Sequence, residues 1–476
     1  MQINEDQIIE FKESTLTAIS PLDGRYASQT APIKDYFSEY ALMKQYNCCH
    51  SRYRIKVEIE WLKFLHSKSM IKQGNSVLSL TALDLTYLDL IYDKFDVTKS
   101  FRVKQIESTT NHDVKSIEYY IKEELDKNPI LHSMKEYVHF CCTSEDINNI
   151  AYSLMMTDAK NNLLMKSLEG VVNKLVQLSH DHYNVPMLSR THGQVASPTT
   201  VGKEFANFAY RIRNHSELLR NLKFEAKLNG AVGNYNAHLL AYPNYDWPIL
   251  SKQFIEELKL KHNPFTTQIE PHDSVALYYS YLNLINNILV GLSRDVWSYI
   301  SINYFEQKSI KSEVGSSTMP HKVNPIDFEN CEGNLGLSNS LAQHFMNKLV
   351  ISRYQRDLSD STVMRNHGVC LGYAVVGYRS LIKGLDKISP NYETIFNDLE
   401  NHWEVLAEPI QQIMRQYGVP NPYEQLKELT RGQKITKDSL REFISKLSLP
   451  EDVKKKLLSL EPKDYIGNAD KMARLI

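Results

Sequence analysis

Residues 315 to 325, GSSTMPHKVNP, place two serines, a histidine, a lysine and an asparagine within eleven positions. Gly315 frees the backbone, Pro320 and Pro325 forbid a continuous helix, and Lys322 sets a positive charge near two hydroxyls. The segment reads as a mobile, cationic lid over an anionic ligand, or more plainly as a surface linker. Three other polar stretches could act with it: NHDVK from Asn111, TSEDINN from Thr143, and SRTHGQ around His192. Thr143 or Ser144 can cap the helix that follows, with Asp146 favouring its positive end. The same exposed N–H groups could equally bind a carboxylate. His192, flanked by Thr191 and Gly193 before a helix start, is a candidate for a functional or for a structural role.

These stretches need long helices to hold them. Ile147, Ala151, Leu154, Leu164, Leu168, Val171, Leu175 and Leu178 recur mostly at helical spacing and predict one helix over 145–183. A second is expected from Pro198, with Val201, Phe205, Phe208, Ile212, Leu219 and Leu222 on one face, and a third from Ser274 to about Phe305. Helices of that length cannot cover their apolar faces inside one small domain, so an antiparallel bundle and association with other chains are expected. Helix ends meeting at one level would gather the polar stretches into one site. The simplest division is three domains: 1–140, mainly helical; 141–380, the long-helix bundle; and 381–476, shorter helices.

With 476 residues, the chain can build a large core. Lys and Arg total 55 against 56 Asp and Glu, which leaves no global field to hold a nucleic acid. The six cysteines show no CxxC spacing and read as buried free thiols. No HxxxH or paired-carboxylate spacing marks a metal site. No secretory signal is read at the start, and no run approaches the roughly 18 apolar residues of a membrane span, so a cytoplasmic protein is expected.

The 315–325 stretch resembles the signature loop of the fumarase/aspartase superfamily, Gly-Ser-Ser-x-Met-Pro-x-Lys-x-Asn-Pro, at every fixed position. The loop alone leaves fumarases, aspartases and argininosuccinate-cleaving members open. His321 before the lysine, together with SPLDGRY, NHDVK, TSEDINN, SRTHGQ, SRYQRDLSDSTVMRN and HWEVLAEPIQ, is similar to the adenylosuccinate branch over most of the chain. A catalytically silent protein on this scaffold is disfavoured by retention of His192, Ser316, Lys322 and Asn324. Gln45 to Arg52 reads as an insertion relative to bacterial members, and the first dozen residues as an extension.

The resemblance implies an all-α, three-domain fumarase/aspartase-like fold whose central long helices assemble into a homotetrameric core. It also implies β-elimination of fumarate from adenylosuccinate, giving AMP, and from succinylaminoimidazole-carboxamide ribotide, in purine nucleotide biosynthesis. Ser316 would be the base and His192 the acid, with Ser317 left as an alternative that spacing cannot decide. Thr143, Ser144, Lys322 and Asn324 would hold the succinyl carboxylates, beside Thr191. Arg25 and Tyr26 would contact the nucleotide, and Arg356, Ser361 and Arg365 its phosphate or purine. Asn111, His112 and Asp113 match the NHD segment, where His112 would contact phosphate or assist His192. Gln268 would be an amide contact to substrate, and Glu329 would orient His192. No metal or other cofactor is called for, and the partners are nucleotide substrates and further copies of the chain, with sites shared between subunits.

Overall fold

The computed structural model describes residues 16–38, 41, 53–308, 319, 322–430 and 435–476. The apparent insertion at 45–52, the first dozen residues, both signature serines (Ser316 and Ser317) and His321 lie outside the described residues. The all-α expectation holds. Strand content among the described residues is confined to four two-stranded pairs. The longest helices are Val201–Asn221, Asp273–Ser301, Ile326–Lys348 and His367–Lys387. Ser144–Ala159 is joined through a π turn at Lys160–Leu164 to Met165–Asp181. At 1.5 Å per residue, Asp273–Ser301 extends about 43 Å.

Two details differ from the sequence reading. The stretch 145–183 is interrupted by the π turn, where Lys160 is buried and its Nζ donates to the carbonyls of Arg220 (2.9 Å) and Leu222 (2.6 Å). The lysine thereby satisfies carbonyls at the end of Val201–Asn221 that have no partner within their own helix. Pro198 does not open a helix. It lies in the strand Gln194–Thr200, which pairs antiparallel with Pro186–Thr191, and the helix begins three residues later at Val201. In a two-stranded ribbon every strand is an edge, so a missing N–H costs little there.

Backbone contacts divide the chain into two compact units, one of residues 1–167, 216–286 and 334–376, the other of 168–215, 287–333 and 377–476. The first is anchored by aromatic side chains. Trp61 and Trp247 are almost fully buried, and Phe254 meets the rings of Trp61 and Phe64 edge-on at 5.1 and 5.4 Å. Each indole finds a carbonyl: Trp61 Nε1 donates to Phe140 (3.0 Å), and Trp247 Nε1 to Tyr242 (3.1 Å). Rings of this size dominate burial, and the Trp61 indole holds the Phe140 carbonyl three residues before Thr143.

In the second unit, Gly202 permits the tight passage from hairpin to helix. A Cβ there would stand 2.6 Å from the Tyr183 Cα, and the Gly202 amide donates to the His182 carbonyl at 2.9 Å. Asp327, near the start of Ile326–Lys348, pairs with Lys387 at 2.9 Å.

Asp273–Ser301 is long and apolar enough, by length and composition alone, to cross a membrane, although Asn283, Asn286 and Asn287 break it into shorter apolar runs. Half of its most apolar window is buried inside the protein. Asn286 is fully buried and donates to Ser338 Oγ (3.3 Å) and Asn339 Oδ1 (3.0 Å), as suits a core helix. Of the described cysteines, all free thiols, Cys331 and Cys370 are buried while Cys141 and Cys142 are only partly so.

Candidate active site

Within the first unit an open cavity of about 970 Å³ is lined by polar side chains from three of the sequence motifs and by Gln268. Asn111, the left-handed end of helix Val97–Thr110 (φ 51°), turns the chain sharply into helix Asp113–Leu125. His112 occupies the corner, its Nδ1 accepting from the Lys115 amide at 3.2 Å. That bond requires an unprotonated Nδ1, so a proton on neutral His112 sits on Nε2. Burial pushes the Asp113 carboxyl up, but the Arg54 guanidinium 2.9 Å away and the Val114 amide outweigh it and hold the carboxyl below the usual range.

Thr143 begins helix Ser144–Ala159. Its amide donates to Asp146 Oδ2 at 2.8 Å in a capping box. Asp146 is fully buried and also accepts from the amides of Asn229 (3.0 Å) and Gly230 (3.2 Å). Lys227, equally buried, lies 3.0 Å from Asp146 Oδ1 and donates to the Gly230 carbonyl at 2.9 Å. The helix start bearing Thr143 and Ser144 is therefore pinned by an ion pair whose oxygens and protons are bonded. Lys227→Met should lower stability by about 3–5 kcal/mol, because the aspartate would be left buried without its cation. Urea unfolding checks this; a loss under about 1 kcal/mol would mean that the three amides suffice.

The far wall comes from residues 354–365. Arg356 Nη2 lies 3.1 Å from Glu145 Oε1 and 3.4 Å from Ser361 Oγ, while Nη1 donates to Gln268 Oε1 at 3.3 Å. Glu145 is buried and further held by Asn148 Nδ2 at 2.9 Å. The network presents a pre-oriented guanidinium, and its planar fork suits phosphate or carboxylate. Arg365 lines both this cavity and an adjoining groove beside residues 20–38, the segment of Arg25 and Tyr26. That segment packs closely because residues 368 and 372 are glycines: a Cβ on Gly372 would lie 2.8 Å from Leu22 Cδ1.

The structure thus brings together Asn111, His112, Asp113, Thr143, Ser144, Gln268, Arg356, Ser361 and Arg365. Arg25 and Tyr26 are not in the lining. Thr191, His192, Lys322, Asn324 and Glu329 belong to the second unit. There His192 and Gly193, at φ 53° and 72°, form the exposed two-residue tip of the hairpin, with Thr191 and Gln194 paired across it. Lys322 is exposed, its amide bonded to the Met319 carbonyl at 3.0 Å. Glu329 accepts from the Trp297 indole at 3.2 Å rather than from His192. Arg54, Glu145, Asn148 and Tyr354 line the cavity without having been singled out from sequence. Glu145 and Asn148 stood inside the TSEDINN motif, whereas Arg54 had no local signal. Among the described residues no group of three or more His, Cys, Asp or Glu could hold a metal ion.

A helical fold with a polar, arginine-bearing cavity is the frame of a lyase here, since residues 24–337 match the family described as Lyase. Residues 352–466 match the family described as Adenylosuccinate lyase C-terminal. The adenylosuccinate lyase of Escherichia coli (strain K12) is 48% identical over 456 residues, 96% of this chain and 98% of that protein. The adenylosuccinate lyase of Haemophilus influenzae shows the same identity and coverage. The chain belongs to the adenylosuccinate lyase family. Two solved structures share the fold: a fumarate lyase from Mesorhizobium sp. BNC1 (TM-score 0.71, 16% identity, 93% of this chain and 96% of that one) and the 3-carboxy-cis,cis-muconate lactonizing enzyme from Pseudomonas putida (TM-score 0.69, 17% identity, 93% and 95%).

Proposed function

We propose that the enzyme removes fumarate by β-elimination from adenylosuccinate, giving AMP, and from succinylaminoimidazole-carboxamide ribotide, giving aminoimidazole-carboxamide ribotide. The observation that carries this reading is the cavity itself, in which NHD, Thr143–Ser144, Gln268 and the Arg356–Arg365 segment line one space. Both substrates present a succinyl-amino group at one end and a ribose phosphate at the other. Arg356, Ser361, Arg365 and His112 face the nucleotide end, joined by Arg25 and Tyr26; Asn111 and Asp113 shape the corner. Thr143 and Ser144, with Lys322 and Asn324, take the carboxylates, and Gln268 and Thr191 complete the contacts.

In the reaction, Ser316 withdraws the C–H proton beside a carboxylate, and the resulting carbanion spreads its charge into that carboxylate. His192 then protonates the departing nitrogen as the C–N bond breaks. A serine hydroxyl is a poor base unless its alkoxide is stabilised, which assigns Lys322 and the lid's N–H groups to that task in a closed, dry site. Glu329, bonded to Trp297 within its own chain, is assigned to orient the His192 of another subunit, and Ser317 supports the lid. The steps move protons and one C–N bond, with no electron transfer and hence no redox cofactor. We further assign a cytoplasmic homotetramer whose sites take residues from different subunits, with 1–140, 141–380 and 381–476 as its three domains.

Purified protein given adenylosuccinate should release AMP and fumarate in equal amounts, followed by chromatography of both products. If adenylosuccinate is left intact while argininosuccinate is cleaved, the substrate assignment is wrong and another fumarate-forming lyase takes its place.

A further inference from the structure

The hairpin that presents His192 is held from behind by a carboxylate that no motif contains. Its tip has only two residues, both at positive φ, so nothing within the turn absorbs a change in strand position. The ladder slips between Leu188 and Ser189, which leaves a short, independently placed stretch from Ser189 to the tip. Arg190 is in that stretch, two residues from His192 and paired across the ribbon with Val195. Its Nη2 donates to Asp398 Oδ2 at 2.7 Å.

Asp398, in helix Tyr392–Glu400, is itself immobilised. The Tyr304 hydroxyl donates to Oδ2 at 2.5 Å, and His402 Nδ1 lies 3.2 Å from Oδ1. Tyr304 is almost fully buried, and its carbonyl accepts from the Asn391 amide at 2.8 Å, next to the start of the helix that carries Asp398. The Arg190 guanidinium also lies over the Tyr304 ring, 5.6 Å from its centroid. Yet Arg190 borders an open pocket of about 380 Å³, shared with Thr394, Asn397 and Asn401, and its side chain remains 30% exposed. Packing does not wedge it in place, so its bond to Asp398 and its contact with the Tyr304 ring decide where it sits.

We propose that Asp398, backed by Tyr304, is a positioning residue for the elimination, acting through Arg190 to set the His192 tip. This rests on the reading of His192 as the proton donor. Two residues of strand span at most about 7 Å, so a shift of the guanidinium reaches the imidazole with little damping, and misplacement of a reacting group by about 1 Å can cost on the order of 10²-fold in rate.

The test uses the full-length enzyme. Asp398→Asn, which preserves shape but loses the ion pair, and Arg190→Met should each lower kcat about 10–100-fold, with KM within about twofold because the cavity contacts are untouched. Arg190→Lys should recover part of the loss, since an ammonium can still pair with the carboxylate although it loses the guanidinium's stack on the Tyr304 ring. The ring resonance of His192 in ¹³C-histidine-labelled enzyme, assigned by its disappearance in His192→Asn, should move in Asp398→Asn and in Arg190→Met, and should lie nearer its original position in Arg190→Lys than in Arg190→Met. Wild-type kcat in Asp398→Asn and Arg190→Met, with His192→Ala inactive, would refute the anchor and leave the proton-donor reading intact. Full activity of His192→Ala would overturn that reading and the anchor with it. Should Arg190→Met fail to fold, Asp398→Asn decides; a loss of kcat that tracks the fall in thermal midpoint, with Arg190→Lys equally impaired, would reduce the pair to a structural brace.

Discussion

Ser316→Ala should lower turnover of adenylosuccinate by about 10²–10⁴-fold while substrate binding stays close to that of the unaltered enzyme. General-base removal of a proton contributes on that order, and a methyl group cannot accept the C–H proton. On the proposed reading, binding falls to groups that this change does not touch, among them Thr143, Ser144 and Arg356, which line the cavity. Loss in kcat without loss of affinity is the signature of a contact made only in the transition state. Ser317→Ala should be milder. Single-turnover kinetics, paired with equilibrium binding, separates the two quantities. A harmless Ser316→Ala beside a dead Ser317→Ala would transfer the base to the second serine.

A mixture of two nearly inactive proteins, His192→Ala and Ser316→Ala, should regain about a quarter of the normal activity once their subunits have exchanged. The expectation follows from counting. If each site takes its His192 hairpin from one subunit and its Ser316 loop from another, each is intact with a probability of about one half in an equal, random mixture, and about a quarter of sites receive both. Native mass spectrometry would establish that exchange had occurred and give the subunit number. Were both groups supplied by one chain, no mixture could assemble an intact site. Continued inactivity after proven exchange would therefore end the shared-site proposal without disturbing the family assignment.

What could be read from the chain was local chemistry and local periodicity. The signature loop, NHD, Thr143–Ser144 and the 352–366 stretch are contiguous, so their residue types and spacing carry their meaning without any fold. The helical class was legible for the same reason, since apolar side chains every three or four residues over twenty or more positions can satisfy one geometry. A cap at Thr143 or Ser144 was visible too, whereas the bond from the Thr143 amide back to Asp146 was not read from the sequence.

Interactions between distant segments were not legible. Pro198 passed for a helix start because its ring suits a first turn, but the His192–Gly193 tip and the pairing with Pro186–Thr191 made it a strand residue instead. The stretch 145–183 scanned as one regular helix, yet Lys160 reaches carbonyls some sixty residues away, at the end of another helix, and the backbone at 160–164 is a π turn. The neutralisation of Asp146 by Lys227, the clamp of Arg54 on Asp113, and the hold of Asp398 on Arg190 all join residues separated by tens to hundreds of positions. Which groups are available for the chemistry and which stretches are helical follow from residue type and short-range periodicity, because both are properties of neighbours in the chain. Tertiary structure alone decided which charges are buried, which partner neutralises each, and how firmly each candidate group is held. Those depend on a local dielectric and on hydrogen-bond partners that exist only after distant segments have packed.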